Sequence, residues 1–415
     1  MPAITSLGIG SGLDINTMVS QLVALERRPL DLMRAEATRL QTQVSSYGKL
    51  NSLFSSLQDA SNKLAGSALW ARTVATSSDD SAVMASGGSG AAAGRYAVSV
   101  QALAGSQTLA STTAEASADA LAGSGSLTLE LGRWDGTAFG PKVGASAVTV
   151  VITATDTLAT MRDKVNASGA GVSASLVSDA SGVRLSLRSS ATGAENGFRV
   201  TVADDDGNST DASGLSRFAY DAAGSGGGMA LKQAAADAQA TVNGIDVVSA
   251  SNELTGVVEG LTLRLRKVTV TPVDVAVQDD NEGAKAAITA FATAYSDLAR
   301  YIAEQTKYDP ASKVGGPLQG DSAVGSLQSQ MRAVLNASSG ASARFPRLSD
   351  IGLELQRDGT LSVDAAKLDA ALANPVELKK AFANRDEIVP ANNGFARRYA
   401  DLATQVLGVD GSLTT

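Results

Sequence analysis

Apolar residues recur at helical spacing near the start of the chain. Ile15, Met18, Leu22 and Leu25 lie three or four positions apart, behind a glycine-rich lead, Gly8-Ile9-Gly10-Ser11-Gly12-Leu13-Asp14. Ser11 and Asp14 have the spacing of a capping box, and Asp14 places negative charge where the helix dipole favours it. A helix is therefore expected from about Leu13. Pro29 lacks an N–H and disfavours helical dihedrals at Arg28, which predicts that this helix stops or kinks there. A second stripe follows: Met33, Ala37, Leu40, Val44 and Tyr47 fall at alternating four- and three-residue steps. Leu50, Leu53, Phe54, Leu57 and Leu64 carry the face on to a stop at Gly66. This is the spacing of a coiled-coil seam. A helix from Leu30 to Ala65 spans roughly 54 Å at about 1.5 Å per residue, so it needs partners along its length. Two readings satisfy that need: a long core helix of one bundle, or a stalk that assembles with other copies or chains.

After Gly66 the period shortens from helix to strand. Strands are expected at Thr73 to Thr76, Ala82 to Ala85 and Gly94 to Val100, followed by a Ser/Ala/Thr/Gly-rich connector over 105–126. Further strands are expected at Leu127 to Leu131 and Val148 to Thr153, then a short helix with Leu158, Met161 and Val165 on one face. Val172 to Val177 and Val183 to Arg188 flank Asp179-Ala180-Ser181-Gly182 as a hairpin, and Phe198 to Val202 adds a strand. Residues 204–228 are rich in Asp, Ser and Gly and read as a flexible loop. Strands resume at Ala240 to Val247, with Asn243-Gly244 as a tight turn, at Leu261 to Leu265 and at Val268 to Val277. Helical spacing then returns over Ala284 to Gln305, Asp321 to Asn336, Asp364 to Leu372, Leu378 to Phe382 and Gly394 to Gly408, with a hairpin around Asp358-Gly359.

The pattern predicts an α+β multidomain chain in which the terminal segments form a helical bundle or coiled-coil leg and two antiparallel β-rich head domains are inserted. The expected divisions are a terminal helical segment over 1–40, a helical leg of 41–72 plus 280–415, a β-rich head of 73–115 plus 236–279, and an inserted outer head of 116–235.

Composition narrows the chemistry. The 415 residues include neither Cys nor His, which removes disulfides, thiolate metal sites, the usual zinc sites and Ser-His-Asp or Cys-His catalysis. A net charge of −8 argues against a nucleic-acid surface. The densest basic run, Arg264, Arg266 and Lys267, alternates with Leu263 and Leu265 and reads as the solvated face of a strand. Aromatic residues are only 4%, which disfavours a deep small-molecule pocket. Gly8, Gly10 and Gly12 lack the third glycine and the preceding strand of a dinucleotide fingerprint. Asp204, Asp206 and Asn208 alternate like a calcium loop but lack its central glycine and closing glutamate, so they read as a solvated acidic turn. Asp and Glu are otherwise scattered, leaving glycoside hydrolysis as the residual enzymatic reading. No basic n-region precedes an apolar run and no stretch reaches about 18 apolar residues, so neither a secretory signal nor a membrane span is expected. That suits a cytoplasmic protein, and equally one exported by a route that needs no cleaved signal.

Residues 8–23, Gly-Ile-Gly-Ser-Gly-Leu-Asp-Ile-Asn-Thr-Met-Val-Ser-Gln-Leu-Val, with Leu25-Glu26-Arg27-Arg28-Pro29-Leu30, resemble the amino terminus of the bacterial flagellar filament cap family, the hook-associated proteins 2. Thr157-Leu158 through Gly171-Val172 to Ser190-Ala191-Thr192-Gly193 is similar to the repeated motif of flagellar hook and cap proteins. Val242-Asn243-Gly244-Ile245, Gly260-Leu261-Thr262-Leu263 and Asp358-Gly359-Thr360-Leu361-Ser362-Val363-Asp364 resemble the second half of the cap family. The resemblance implies a structural protein, not an enzyme, with no cofactor. It implies export through the flagellar channel with the export apparatus and a chaperone, and assembly with its own copies into a ring at the extracellular filament tip. There it would promote folding and polymerisation of flagellin; hook–filament junction proteins are further partners. The interface expected for other copies or the filament is the seam of Leu13, Ile15, Met18, Leu22, Leu25, Met33, Leu40, Val44, Tyr47, Leu50, Phe54 and Leu57. The family ends in a further long helix pairing with the amino-terminal one. The sequence stops at Gly411-Ser412-Leu413-Thr414-Thr415, which is read either as a truncated chain or as an unusually short tail, and both leave the packing of residues 1–40 open. The alternative function is a surface adhesin that binds host mucin or glycans through the head domains, with saturable binding lost on deletion of residues 127–235.

Overall fold

The computed structural model describes residues 15–223, 228–311 and 313–408. Leu13, the glycine-rich lead with its Ser11 and Asp14, and the tail from residue 409 lie outside the described residues. The chain divides into two compact units, one of residues up to Ala71 with those from Asp280 onward, the other Arg72–Asp279. It is α+β, and every strand pairing among the described residues is antiparallel.

Helix α1 runs Ile15–Ala65, 51 residues, and the short α2 follows at Ser67–Trp70. The stop or kink expected at Pro29 is not a stop: helix continues through it. Proline within a helix removes one ladder bond and costs about 3 kcal/mol. Here the carbonyl of Leu25 that loses its donor sits in an exposed stretch, open to solvent. The helix ends where expected, with Gly66 N bonded back to Asn62 O at 2.9 Å.

In the Arg72–Asp279 unit, one core lies between a five-stranded and a three-stranded sheet. The first has the spatial order Thr73–Ser77, Val273–Asp279, Gly94–Ala102, Ala238–Val242, Ile245–Ser249; the second is Glu253–Val258, Leu261–Leu265, Val83–Gly87. The turn Asn243-Gly244 joins two of these strands with both residues at positive φ, 51° and 80°, the geometry that selects Asn-Gly in a two-residue hairpin. Leu263 and Leu265 point inward while Arg264 faces out to Glu253 at 2.9 Å, as alternation predicts, but the strand ends at Leu265 and Arg266 and Lys267 follow it rather than sharing its face. The strand expected over Val268 to Val277 begins only at Val273. Pro272 cannot donate to a ladder, and Val270 before it is fully exposed.

The second core of this unit gathers Leu127, Leu129, Leu185, Leu187, Phe198 and Val200 with Leu158, Met161 and Val165 of α3, Leu158–Ala167. Thr157 and Thr160 close a capping box at the start of α3, with Thr160 N donating to Thr157 Oγ1 at 3.3 Å and Thr157 N to Thr160 Oγ1 at 2.8 Å. Two expectations fail here. The connector 105–126 is not a plain linker: Thr108–Ser111 is a strand between Met229–Gln233 and Gly182–Ser189, and Leu109 is buried in this core. The chain passes between the two cores at Gly105 and Ala236, whose backbones exchange hydrogen bonds of 2.9 and 3.1 Å. Nor is the described part of 204–228 a free loop, since Leu215 and Phe218 are buried. The alternation that suggests a calcium loop belongs to serial Asx turns. Asp204 accepts from Asp206 N, Asp206 from Asn208 N, and Asn208 from Thr210 N.

The chain then rejoins α1. Helix α4 runs Asn281–Thr306, α5 Ser322–Asn336, α6 Leu348–Ile351, α7 Ala365–Leu372, α8 Pro375–Ala383 and α9 Phe395–Leu407. Asp280, Asp321 and Asp364 cap α4, α5 and α7, each accepting from the first turn. Helices α4 and α9 both pack on α1. Phe291 and Tyr295 of α4 meet Tyr399 of α9 edge-on at 5.3 and 5.9 Å. Burial pushes the Tyr295 hydroxyl up to about 12 and that of Tyr399 well above its ordinary value; Tyr399 donates to Met331 O at 2.7 Å.

Candidate functional site

Helix α1 carries one apolar periodicity through two environments. From Leu50 onward the stripe is core: Leu50 and Phe54 have no exposed surface, and Leu57 and Leu64 are as deeply buried beside α4 and α9. Before Tyr47 the same pattern faces solvent, with Leu22 62%, Leu25 58%, Met33 69% and Val44 71% exposed, and Met18 and Leu40 also exposed. Every residue from Thr17 to Thr42 is exposed. Ile15 opens the helix, and Leu13 lies outside the described residues. Of the predicted seam residues, Leu50, Phe54 and Leu57 thus come together inside the helical unit, Tyr47 is half-buried at its margin, and Met18, Leu22, Leu25, Met33, Leu40 and Val44 have no apolar cover among the described residues. Val19, Val23, Leu30 and Leu32 add exposed apolar surface that the stripe spacing did not single out. Scattered exposed leucines are ordinary; a continuous apolar run along about 40 Å of helix is not.

A polar collar marks where the buried part begins. Gln43 Nε2 donates to Pro317 O at 2.9 Å, Ser46 Oγ bonds Gln305 Oε1 at 3.0 Å, and Tyr301 OH donates to Ser46 O at 3.2 Å. Tyr47 OH donates to Asp321, the same carboxylate that caps α5. Burial, with the Asp321 carboxylate beside it, pushes the Tyr47 hydroxyl up to about 12, so it stays a neutral donor at physiological pH. The collar anchors α1 on the end of α4 and the segment leading into α5. Sequence reading missed Gln43, Ser46, Gln305 and Asp321 in this role, because one-letter polarity cannot distinguish a solvated side chain from an anchoring one. The half-apolar Tyr47 at the end of the stripe was the only available signal.

Two concave surfaces among the described residues offer little chemistry. A groove of about 630 Å³ runs between α1 and α4, floored by Leu53, Ala286, Ala290 and Ala294. Its carboxylates, Glu282 and Asp297, stand roughly 22 Å apart along α4, far beyond the spacing a glycosidase pair needs. A cavity of about 260 Å³ in the β-rich unit is walled by Trp134 and Tyr220. The Gln107 amide at its edge is committed on both sides to the Phe198 backbone, at 2.8 and 3.0 Å. Among the described residues no group of three or more acidic side chains is placed to hold a metal ion, and no helix is long and apolar enough to cross a membrane.

Comparison with known proteins places these features in a family context. Residues 11–107 match the sequence model of the flagellar hook-associated protein 2 N-terminus, and residues 235–415 that of its C-terminus. Residues 126–191 match the flagellin hook IN motif. The flagellar hook-associated protein 2 of Escherichia coli is 34% identical over 385 residues, covering 90% of this chain and 78% of that protein. The B-type flagellar hook-associated protein 2 of Pseudomonas aeruginosa is 32% identical over 414 residues, 95% and 82% of the two chains. The crystal structure of the D1-D2-D3 domains of the Escherichia coli flagellar cap protein aligns with a TM-score of 0.69 at 29% identity, covering 89% of this chain and 98% of that one.

Proposed function

Because the chain belongs to the flagellar hook-associated protein 2 family, we propose that it caps the growing end of a flagellar filament, outside the cell, as a ring of its own copies that promotes folding and polymerisation of exported flagellin. The observation that carries this reading is the division of α1. One half is locked into the helical unit and the other presents an apolar seam, from Met18 to Val44, with no cover among the described residues. Burying one Leu contributes about 1.5 to 3 kcal/mol, so a seam of this length favours docking against another helical surface, in a second copy or in the filament. We propose that seam as the assembly interface. Leu50, Phe54 and Leu57 hold its base in the unit instead. The lack of cysteine suits a chain that unfolds for passage through an export channel and refolds outside, with the export apparatus and a chaperone as partners on the way.

Complementation tests the reading. A motile bacterium deleted for its own cap protein receives the gene for this protein together with the cognate flagellin. Filaments on the cells and flagellin cleared from the medium are expected. Flagellin left monomeric in the medium, with this protein exported and folded, would overturn the assignment.

A further inference from the structure

Strand Ile245–Ser249 ends the five-stranded sheet, and its outer edge is open. The hairpin with Ala238–Val242 sets which of its backbone groups face outward. Ile245 pairs with Val242 across the two-residue turn, so Ile245, Val247 and Ser249 exchange hydrogen bonds with the neighbouring strand. Asp246 and Val248 alternate with them and aim their N–H and C=O groups away from the sheet. No described residue hydrogen-bonds these four groups. The side chains of Ile245 and Val248 are 71% and 67% exposed.

Other edges of the β-rich unit are obstructed. On strand Val172–Asp179 the Asn166 amide binds both Ala174 N and Ala174 O, at 2.7 and 2.9 Å. On strand Val148–Ile152 Lys164 Nζ donates to Val151 O at 3.1 Å. Tyr220 covers strand Gly197–Asp204 at Val200 through two backbone bonds of 3.0 and 2.9 Å. Strand Glu253–Val258 is interrupted by a bulge between Thr255 and Val258, with Gly256 at a φ of 77°. Strand Ile245–Ser249 has no bulge, proline or lysine, the devices that blunt an edge, and its one charge is Asp246.

The strand is complementary to itself. Two copies laid antiparallel about a two-fold axis through Val247 bring each Asp246 opposite the other copy's Val248, and each such pair exchanges two N–H···O=C bonds. Val247 then lies opposite Val247, and Ile245 opposite Ser249. This register sets each carboxylate against a valine and avoids a pair of like charges directly opposite one another, which is destabilising. The contact closes after two copies, so it leads to a pair and not to a fibre.

We propose that this edge is a self-association surface, on which two copies of the chain join their five-stranded sheets into one continuous sheet. A strand pair this short buries well under the roughly 1,200 Å² of a stable interface, so the pair is weak, with a dissociation constant on the order of 100 µM. It is a form of the free chain and holds whether or not the chain caps a filament.

Disulfide trapping tests the register, in a chain with no cysteine of its own. In the pair, the two copies of residue 247 stand about 4.5 Å apart at Cα, within disulfide reach, whereas the two copies of residue 245 are about 14 Å apart along the strands. Under mild oxidation at a chain concentration of about 200 µM, Val247→Cys should form dimer at least tenfold faster than Ile245→Cys, although residue 245 is the more exposed. Ile245→Cys mixed with Ser249→Cys should give the mixed dimer as fast as Val247→Cys gives its own. Val248→Pro removes an outward N–H that the single chain does not use. Added to Val247→Cys, it should slow trapping at least tenfold while circular dichroism stays unchanged. Equal rates for Val247→Cys and Ile245→Cys would overturn the pair, as would trapping that Val248→Pro leaves unaltered in a folded chain. If Val248→Pro disturbs the fold, the rates of the single and mixed cysteine chains decide alone.

Discussion

Leu22→Asp combined with Leu25→Asp should leave the protein folded and abolish filament growth. Both side chains are more than half exposed and touch no core, so substitution changes global stability by no more than about 0.5 kcal/mol per site. In the docked state, however, each carboxylate replaces an apolar side chain within a seam. The lost burial of about 1.5 to 3 kcal/mol per leucine is compounded by desolvating a charge that has no partner. The swarm of a complemented strain should shrink to that of the cap-less parent while circular dichroism and the thermal midpoint of the purified protein stay at the unsubstituted values. Asp is also a weaker helix former than Leu, so Leu22→Gln with Leu25→Gln is the companion variant. It keeps helix propensity and removes only the apolar surface, and it should give the same loss.

Phe54→Ala has the opposite signature. Phe54 lies on the same helix, but it has no exposed surface and sits in the core with α4 and α9. Truncating a buried Phe costs about 3 to 5 kcal/mol, a large fraction of the stability of an ordinary domain. The helical unit of this variant should unfold at markedly lower temperature or denaturant concentration. The β-rich unit has cores of its own and should keep its transition. A calorimetric scan with two transitions, only the helical one displaced, is the expected result. The contrast between Leu22 and Phe54, 32 positions apart on one helix, is a direct consequence of where the collar divides α1.

That division was invisible in the sequence. Spacing by three and four residues announces that a helix has an apolar face, and it placed α4, α5, α7 and α9 within a few residues of their ends and α1 to its close at Ala65. It does not announce what covers the face, so Leu25 and Leu57 look alike on paper. Caps and turns were legible for local reasons: Asp364 before α7 and Asn243-Gly244 between strands act through their own backbone neighbourhood. Pro29 was over-read as a possible stop, because its cost is fixed while its consequence depends on whether water can reach the Leu25 carbonyl. The strand at Thr108–Ser111 and the buried Leu215 and Phe218 escaped notice for a different reason. They sit in stretches of Ser, Ala, Gly and Asp whose composition is that of a linker, and only two or three apolar side chains in each tie them to the core. The collar was the least legible feature, because Gln43 meets Pro317 and Tyr47 meets Asp321 across 274 positions of chain.

The claim that the exposed half of α1 is an assembly interface is tested most directly by single cysteines along the helix, at Leu22, Leu25, Met33 and Leu40, in a protein that has none of its own. Maleimide labelling is followed in the free chain and in chains at the tips of growing filaments. All four positions should react rapidly in the free protein and be protected at least tenfold on the filament, while a cysteine at exposed Val143 in the β-rich unit reacts equally in both. Rapid labelling of Leu22→Cys and Leu25→Cys at the filament tip, in cells whose filaments continue to grow, would contradict the account.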